Sequence, residues 1–220
     1  MIRGKFITLE GGEGTGKTTN LKFLATYLTG QGLKVTVTRE PGGTKVAETL
    51  RELVLADHDE PITETAELLL MFAARAQHID QVIEPALSNG SWVLCDRFTD
   101  ASYAYQGGGR QLNSSPIAWL EQFVQGSLKP DLTLLFDAPV DTCLERLQQR
   151  GKKNRFDAES TAFMERVRRA YLVQAKLAPQ RMAVIAAERP LAEVQNQLLG
   201  AIQPLLHGNV RKHRPPQSLL

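Results

Sequence analysis

Two kinds of apolar pattern alternate along the chain. Short runs with few polar positions predict β-strands, and their nearly continuous apolar character indicates parallel strands covered on both faces. These predicted strands are Phe6–Glu10, Val35–Arg39, Trp92–Asp96, Leu132–Asp137 and Ala183–Ala186. Longer segments, with apolar residues every three or four positions, predict helices at Lys17–Thr29, Thr44–Leu55, Ala66–Ser88, Ser115–Gln125, Val140–Arg150, Ala158–Lys176 and Leu191–Leu206. Pro85 is expected to end or bend the third helix.

The regular alternation of strand and helix predicts the α/β fold class, with one parallel five-stranded sheet flanked by helices. The sequence has no internal repeat and no linker that would divide it. We therefore expect one domain over residues 1–207. Residues 208–220 contain two adjacent prolines and several basic residues but no acidic ones, which is typical of a flexible basic tail.

Composition excludes several classes of protein. The chain is 42% hydrophobic, which is normal for a globular protein and excludes intrinsic disorder as the main state. Its longest unbroken apolar run is Leu68–Ala74, far short of the ~20 residues of a membrane helix, so we expect neither a membrane span nor export. Cys95 and Cys143 lie far apart and in no metal-ligand spacing, which favours a reducing cytoplasm.

The net charge is too even for a general nucleic-acid coat, with 26 basic and 24 acidic residues. Charge is nevertheless uneven along the chain. Residues 146–181 contain ten Lys or Arg and three Asp or Glu, whereas residues 48–67 contain one Arg and seven Asp or Glu. Solvated helix faces are one interpretation of such blocks, and a charged binding segment is the other.

The strongest motif follows the first predicted strand directly. It has the form G-x-x-x-x-G-K-[ST] and reads Gly11, Gly12, Glu13, Gly14, Thr15, Gly16, Lys17, Thr18. Glycines let backbone N–H groups point inward at phosphates, and the following helix adds its N-terminal dipole. Lys17 would contact the β- and γ-phosphates of ATP, and Thr18 would offer its hydroxyl to Mg²⁺. The motif therefore predicts a nucleoside triphosphate site.

Two more polar clusters lie at the ends of predicted strands. The second strand leads into Arg39-Glu40-Pro41-Gly42-Gly43-Thr44, and the third ends in Asp96-Arg97-Phe98, followed by Ala104-Tyr105-Gln106-Gly107-Gly108-Gly109-Arg110. Because ligands of open α/β sheets bind beyond the carboxyl ends of the strands, we expect all these clusters to face one crevice. Glu13 is unusual inside a phosphate loop, and we expect it to point away from ATP, towards the hydroxyl of a second substrate.

Taken in order and spacing, these motifs resemble the bacterial thymidylate kinases from about residue 5 to residue 206. The phosphate loop is shared by many kinases, whereas the Asp-Arg-Phe and Ala-Tyr-Gln segments in this order are specific. The resemblance implies transfer of a phosphoryl group from ATP to dTMP, with Mg²⁺, on a single-domain P-loop NTPase fold. It also implies a homodimer, and the run Leu68–Phe72, apolar around more than one helix face, is consistent with one.

The resemblance implies roles for individual residues. Arg51 and Arg97 should bind the acceptor phosphate, and Asp96 should lie near Mg²⁺, acting through water. Arg75 should contact O4 of thymine and Gln106 its N3, while Glu13 should bind the 3′-hydroxyl. Many relatives stack thymine on an aromatic residue where this chain has Met71, so we expect neighbouring Phe72 to reach the base instead. The family often has a serine where this chain has Ala101, so we expect neighbouring Ser102 to make that contact. Tyr105 completes the expected substrate site.

A basic loop resembles the lid of the family, at residues 150–157. Some relatives carry an arginine inside the phosphate loop, but Gly12, Glu13, Gly14 and Thr15 include no base here. We therefore expect Arg150 or Arg155, in a lid closing over ATP, to stabilise the transferring phosphoryl group.

Two other functions remain open from the sequence. One is a P-loop kinase for a different nucleoside monophosphate, which a nucleotide panel would distinguish. The other is a non-catalytic, ATP-dependent module that binds nucleic acid through its basic segments, which predicts strongly salt-dependent binding and no dTDP formation. The first interpretation, with dTMP as partner and neither nucleic acid nor membrane, accounts for the acceptor-site arginines.

Overall fold

The sheet contains five parallel strands in the order β2-β3-β1-β4-β5. In the computed structural model, which describes residues 2–150 and 155–210, the strands are β1 (Phe6–Glu10), β2 (Val35–Arg39), β3 (Trp92–Asp96), β4 (Leu132–Asp137) and β5 (Met182–Ala186). Four strands have the predicted bounds, and β5 begins one residue early. The predicted fold class is confirmed.

Nine α-helices lie within the described residues. They are α1 (Lys17–Gly30), α2 (Lys45–Leu55), α3 (Glu64–His78), α4 (Glu84–Ser88), α5 (Thr99–Ser102), α6 (Ser114–Gln125), α7 (Val140–Arg150), α8 (Thr161–Leu177) and α9 (Leu191–Val210). A 3₁₀ turn at Arg155–Ala158 precedes α8. Helix α9 continues three residues into the predicted tail, and residues 211–220 lie outside the described residues.

The third predicted helix does not end at Pro85. A π-helical segment, Ile79–Ile83, joins α3 to α4, and the N–H of Glu84 donates to the carbonyl of Ile79. Pro85 occupies the first turn of α4, where its missing N–H removes no essential helical bond. The local change of hydrogen-bond pattern thus lets the helical backbone pass the proline.

The polar segment after β3, for which the sequence pattern predicted no helix, is helical. It forms α5 and a π-helix over Tyr103–Gly109. The glycines that suggested a loop are needed for close packing on α8. A Cβ added at Gly108 would lie 2.5 Å from Cβ of Ala170, and one at Gly109 would lie 2.6 Å from the Phe163 ring.

Helices cover both faces of the sheet, which explains the apolar strands. One cluster packs Ile7 and Leu134 against Leu24 of α1 and Leu198 of α9. Other clusters pack Leu135 against α8 and Phe6 against α4. All strands run parallel, so their carboxyl ends open at one edge of the sheet. Within the described part of the chain, no helix is both long enough and apolar enough to cross a bilayer.

Candidate active site

The phosphate loop connects β1 to α1, as the motif predicts. Gly14 adopts a φ of 76°, and a Cβ there would lie 2.5 Å from the carbonyl oxygen of Cys143, so only glycine fits. The Lys17 ammonium is buried and donates to the carbonyls of Gly11 and Gly12, at 3.1 and 2.7 Å. Burial and the nearby Arg97 lower the pKa of Lys17. This arrangement holds the Lys17 ammonium beside the loop, where it would attract a phosphate ligand.

A large cleft runs from this loop across the carboxyl edge of the sheet. It encloses about 1420 Å³, counting its open mouth. Predicted site residues on its wall are Glu13, Gly14, Thr15, Gly16, Lys17, Thr18, Arg51, Asp96, Arg97 and Tyr105. Arg39, of the second strand-end cluster, also lines it, as do Met71, Ala101 and Arg146, for which the sequence predicted no contact. Gly11 and Gly12 lie at the adjoining cavity and contact Lys17 through their carbonyls. The structure thus brings three strand-end clusters together, as predicted.

Arg97 is held in the cleft by several contacts. Its Nη1 donates to the Gly11 carbonyl at 2.7 Å and to the Tyr171 hydroxyl at 3.2 Å. Its Nη2 donates to Oε1 of Glu13 at 2.8 Å. The guanidinium also lies 4.8 Å from the centre of the Tyr105 ring. Glu13 therefore faces an arginine of the acceptor side of the cleft.

The second predicted phosphate-binding arginine is tied down by fewer contacts. Nη1 of Arg51 donates to the Pro41 carbonyl at 2.9 Å, and the side chain is half-buried. Burial and the nearby Arg39 lower the pKa of Arg51. Two partly buried arginines in one cleft attract an anion, because a phosphate can bind both guanidinium groups at once.

Asp96 and Thr18 can hold a divalent cation. Thr18 is exposed on the cleft wall, and Asp96, which ends β3, lines the same cleft. Among the described atoms, Oδ1 of Asp96 is buried and has no hydrogen-bond partner. A buried carboxylate oxygen without a donor fits a hard cation or its bound water, so the residues present suit Mg²⁺.

Arg75 lies beneath the cleft rather than on its surface. It is 2% exposed, and its Nε donates to Oε2 of Glu40 at 2.7 Å. Nη1 donates to the Ser102 hydroxyl and Nη2 to the Phe98 carbonyl, at 3.2 and 3.1 Å. His78 contacts the other oxygen of Glu40 at 3.0 Å. The guanidinium is therefore fixed in orientation, with two of its five N–H groups not used in these bonds.

Gln106 is also buried, with an oriented amide. Its Nε2 donates to Oε1 of Glu67 at 2.8 Å, which fixes the direction of the amide because a carboxylate cannot donate. In the part of the chain that the structure describes, Oε1 of Gln106 is buried without a partner. This amide presents a hydrogen-bond acceptor that the protein itself does not satisfy.

Besides Arg75 and Gln106, two more predicted substrate residues do not lie on the cleft wall. Phe72 is 2% exposed and packs with Leu68 and Ile117 in the core, because its position on α3 turns inward. Met71, one residue earlier, lines the cleft instead. Ser102 is fully buried and accepts from Arg75, and it is Ala101 that lines the cleft. The expectation of direct cleft contacts from Phe72 and Ser102 is corrected accordingly.

The predicted lid lies largely outside the described residues. Residues 151–154 are not described, nor are the side chains of Arg150 and Arg155. The backbone on either side ends α7 at Arg150 and begins the 3₁₀ turn at Arg155. Phe156 of that turn lines the cleft.

Two buried residues behind Arg97 were not predicted as part of the site. Glu10 and Tyr171 are hydrogen-bonded to each other, and Tyr171 contacts Arg97. A signal for Glu10 was present in the sequence, since it is a carboxylate ending an otherwise apolar strand. Nothing local marked Tyr171, which arrives from α8.

Comparison with known proteins gives a consistent result. A family model described as thymidylate kinase matches residues 9–198. The thymidylate kinase of Pseudomonas entomophila is 57% identical over 213 residues, covering 97% of this chain and 100% of the relative. That of Methylococcus capsulatus is 53% identical over 210 residues, with 96% and 100% covered.

A solved structure agrees with these relatives. The crystal structure of thymidylate kinase from Ehrlichia chaffeensis superposes with a TM-score of 0.75 at 32% identity, covering 91% of this chain and 99% of that one. The match therefore extends over most of the chain. Since a family match spans most of the chain and its relatives align over nearly their full length, this protein belongs to the thymidylate kinase family.

Proposed function

We propose that this chain transfers the γ-phosphoryl group of ATP to dTMP, giving ADP and dTDP for nucleotide biosynthesis. The observation that carries the proposal is one cleft that contains both the phosphate loop and two arginines, Arg51 and Arg97. Membership of the thymidylate kinase family supports the choice of acceptor. Phosphoryl transfer requires mainly positioning and charge stabilisation from the protein, and the cleft supplies both.

The acceptor nucleotide would bind to the two members of an existing ion pair. Nη2 of Arg97 lies 2.8 Å from Oε1 of Glu13. We propose that Glu13 binds the 3′-hydroxyl of dTMP and Arg97 its phosphate. Arg51 would add a second guanidinium to the phosphate, and Tyr105, beneath Arg97, would lie beside the sugar. On the donor side, Lys17 would exchange its loop carbonyls for the phosphates of ATP.

The thymine base would be recognised by groups that the protein leaves unsatisfied or fixed. Oε1 of Gln106 needs a donor, and the imide N3–H of thymine supplies one. Cytosine would instead present a lone pair at N3, placing acceptor against acceptor. We propose that an unused N–H of Arg75 reaches O4 and that Met71, on the cleft wall, packs against the base.

Mg²⁺ would be held by the Thr18 hydroxyl and, through water, by the Asp96 carboxylate. When bound, the ion neutralises charge on the phosphates of ATP. One of the lid residues Arg150 and Arg155 would add positive charge at the transferring group, because the variable positions of the phosphate loop contain no base.

The family and the cleft disfavour the alternatives. A non-catalytic nucleic-acid module would leave Arg51 and Arg97, both in the cleft, without a role. Cytosine in place of thymine would leave Gln106 Oε1 opposite a lone pair instead of a donor. We place the protein in the cytoplasm, where free thiols persist, because Cys95 and Cys143 are both unpaired and buried.

We also propose a homodimer through α3 and α6. These helices pack together through Leu68, Phe72 and Ile117. On the same two helices Leu69, Trp119 and Phe123 are 52%, 64% and 74% exposed. The rings of Trp119 and Phe123 stack 5.2 Å apart, forming a rigid apolar surface. A second copy of the chain would bury that surface across a two-fold axis.

A nucleotide panel tests the function. With ATP and Mg²⁺, coupled ADP release should be fastest with dTMP. The value of kcat/KM for dCMP should be at least about 100-fold lower, since a polar group left unpaired discriminates strongly. Lys17→Ala should yield no measurable dTDP, whereas Lys22→Ala, exposed on the same helix, should leave the rate unchanged. Preference for another monophosphate would mean that the chain is a kinase for a different nucleotide. Salt-dependent nucleic-acid binding without dTDP formation would mean that it is a non-catalytic nucleic-acid-binding module.

Gln106→Ala should weaken dTMP alone. Loss of a hydrogen bond to the base should raise the KM for dTMP roughly tenfold or more and leave the KM for ATP unchanged. Discrimination against dCMP should narrow, since the opposing acceptor is gone. Gln122→Ala, exposed on α6, is the matched control for steady-state kinetics. A raised KM for ATP with an unchanged KM for dTMP would mean that the acceptor site is misplaced.

Arg155→Ala should reduce kcat by about 10³–10⁵, as expected for an arginine that stabilises the transferring group, while the KM for dTMP holds. Arg155→Lys should restore part of the rate, because it keeps the charge but loses the bidentate geometry. Arg150→Ala is measured in parallel and Arg169→Ala, exposed on α8, serves as control. Single-turnover rates within about tenfold of wild type for both lid variants would refute this role.

Sedimentation equilibrium at micromolar concentration should give twice the chain mass of 24.4 kDa. Replacing Trp119 and Phe123 together by Glu should give monomers, because two charges cannot be buried at an apolar interface without partners. Leu191→Glu, at a residue similarly exposed on α9, should remain dimeric. A monomeric wild-type protein would contradict the proposal.

A further inference from the structure

A carboxylate is buried directly behind the phosphate loop. Glu10 ends β1 and is 0% exposed. Its Oε1 accepts from the backbone N–H of Phe98 and its Oε2 from the hydroxyl of Tyr171, each at 2.7 Å. Burial raises the pKa of Glu10 to about 8. A carboxylate is costly at such a place, and the proposed chemistry does not use it directly.

The position of the Tyr171 hydroxyl proton follows from this contact. In its ionised form Glu10 accepts the single proton of the hydroxyl, so a lone pair of the Tyr171 oxygen is available to another donor. That donor is Nη1 of Arg97, at 3.2 Å. Tyr171 is 1% exposed, so water does not compete freely for either bond. The carboxylate thus determines what the tyrosine offers to the arginine.

The two ends of the Arg97 guanidinium have different partners. Nη1 is bound by groups that stay in the protein, the Gly11 carbonyl and the Tyr171 hydroxyl. Nη2 is bound by Glu13, itself a proposed ligand of the acceptor sugar. The Arg97 backbone has a φ of 72°, a conformation that non-glycine residues adopt only when their surroundings impose it. One end is therefore anchored while the other faces the cleft.

We propose that Glu10 and Tyr171 are positioning residues for the acceptor phosphate: Glu10 orients the Tyr171 hydroxyl, and Tyr171 anchors Nη1 of Arg97 so that Nη2 can turn from Glu13 to the phosphate. This inference rests on the proposed function, since it requires Arg97 to bind the phosphate of dTMP. Neither residue touches the substrate, so both act through Arg97.

The first test compares two ligands with Tyr171→Phe. The hydrogen bonds of charged groups are among the stronger ones, so affinity for dTMP should fall roughly tenfold or more by calorimetry. Affinity for thymidine, which has no phosphate, should stay within twofold. The KM for ATP should also hold. Tyr103→Phe, which removes a hydroxyl bonded to Glu121 elsewhere, should change neither affinity and is the matched control.

The second test reverses the hydrogen-bond direction without changing shape. Glu10→Gln has one oxygen instead of two, and that oxygen stays with the Phe98 N–H. Its NH₂ group then donates to the Tyr171 oxygen, so the hydroxyl proton of Tyr171 turns towards Arg97. Glu10→Gln should therefore reproduce the selective loss of dTMP affinity despite its equal volume. Melting temperatures of both variants, compared with wild type, show whether the fold is kept.

A double-mutant cycle joins the tests. In an Arg97→Ala background, Tyr171→Phe should have no further effect on dTMP affinity, because its only route to the phosphate is gone. Equal losses for dTMP and thymidine, or full additivity with Arg97→Ala, would overturn the proposal and leave a purely structural role. If wild-type protein made no dTDP, the proposed function would fail instead, and the two failures are therefore distinguishable.

Discussion

Buried charge at the carboxyl edge of the sheet is the constraint on which the site depends. Strands β1, β3 and β4 end in Glu10, Asp96 and Asp137, and Glu40 directly follows β2. Parallel strands bring these carboxylates to one edge, where Glu10 and Glu40 are buried and Asp96 and Asp137 are partly buried, so that an isolated charge is costly there. The partners come from elements far along the chain. Tyr171 and Arg168 of α8 serve Glu10 and Asp137, and Arg75 of α3 serves Glu40.

This pairing explains why the side chains around the cleft are so well fixed. Arg75 donates to Glu40, Ser102 and the Phe98 carbonyl, which leaves its guanidinium little freedom. Arg97 is held by Gly11, Tyr171 and Glu13. Groups that must discriminate between phosphates or bases gain from such preorganisation, because less conformational entropy is lost when the ligand binds. The free-energy cost of burying these charges is incurred during folding, before any ligand binds.

Sequence patterns predicted the strands well because the three central strands, β1, β3 and β4, are buried on both faces. The phosphate loop was equally predictable, since its geometry is local. Failures came where distant contacts decide the outcome. Gly107–Gly109 has the composition of a loop, yet packing on Ala170 and Phe163 of α8 holds it in a π-helix. Phe72 and Met71 differ by one helical step, about 100°, and that step decides which of them faces the cleft.

The same reasoning shows why Tyr171 escaped prediction while Arg97 did not. Arg97 belongs to a contiguous motif at a strand end, whereas Tyr171 is 161 positions from the carboxylate it serves. The fold alone creates that contact, by laying α8 across the carboxyl edge.

The ion pair between Glu13 and Arg97 lowers the free-energy cost of partly burying both charges. Both residues are only partly exposed, at 22% and 13%, so either would be unfavourable alone in the empty cleft. In the proposed function, a nucleotide that carries both a hydroxyl and a phosphate would replace the two halves of the pair together. A ligand with only one of these groups would break the ion pair without compensating both charges, so the pair would select against incomplete substrates.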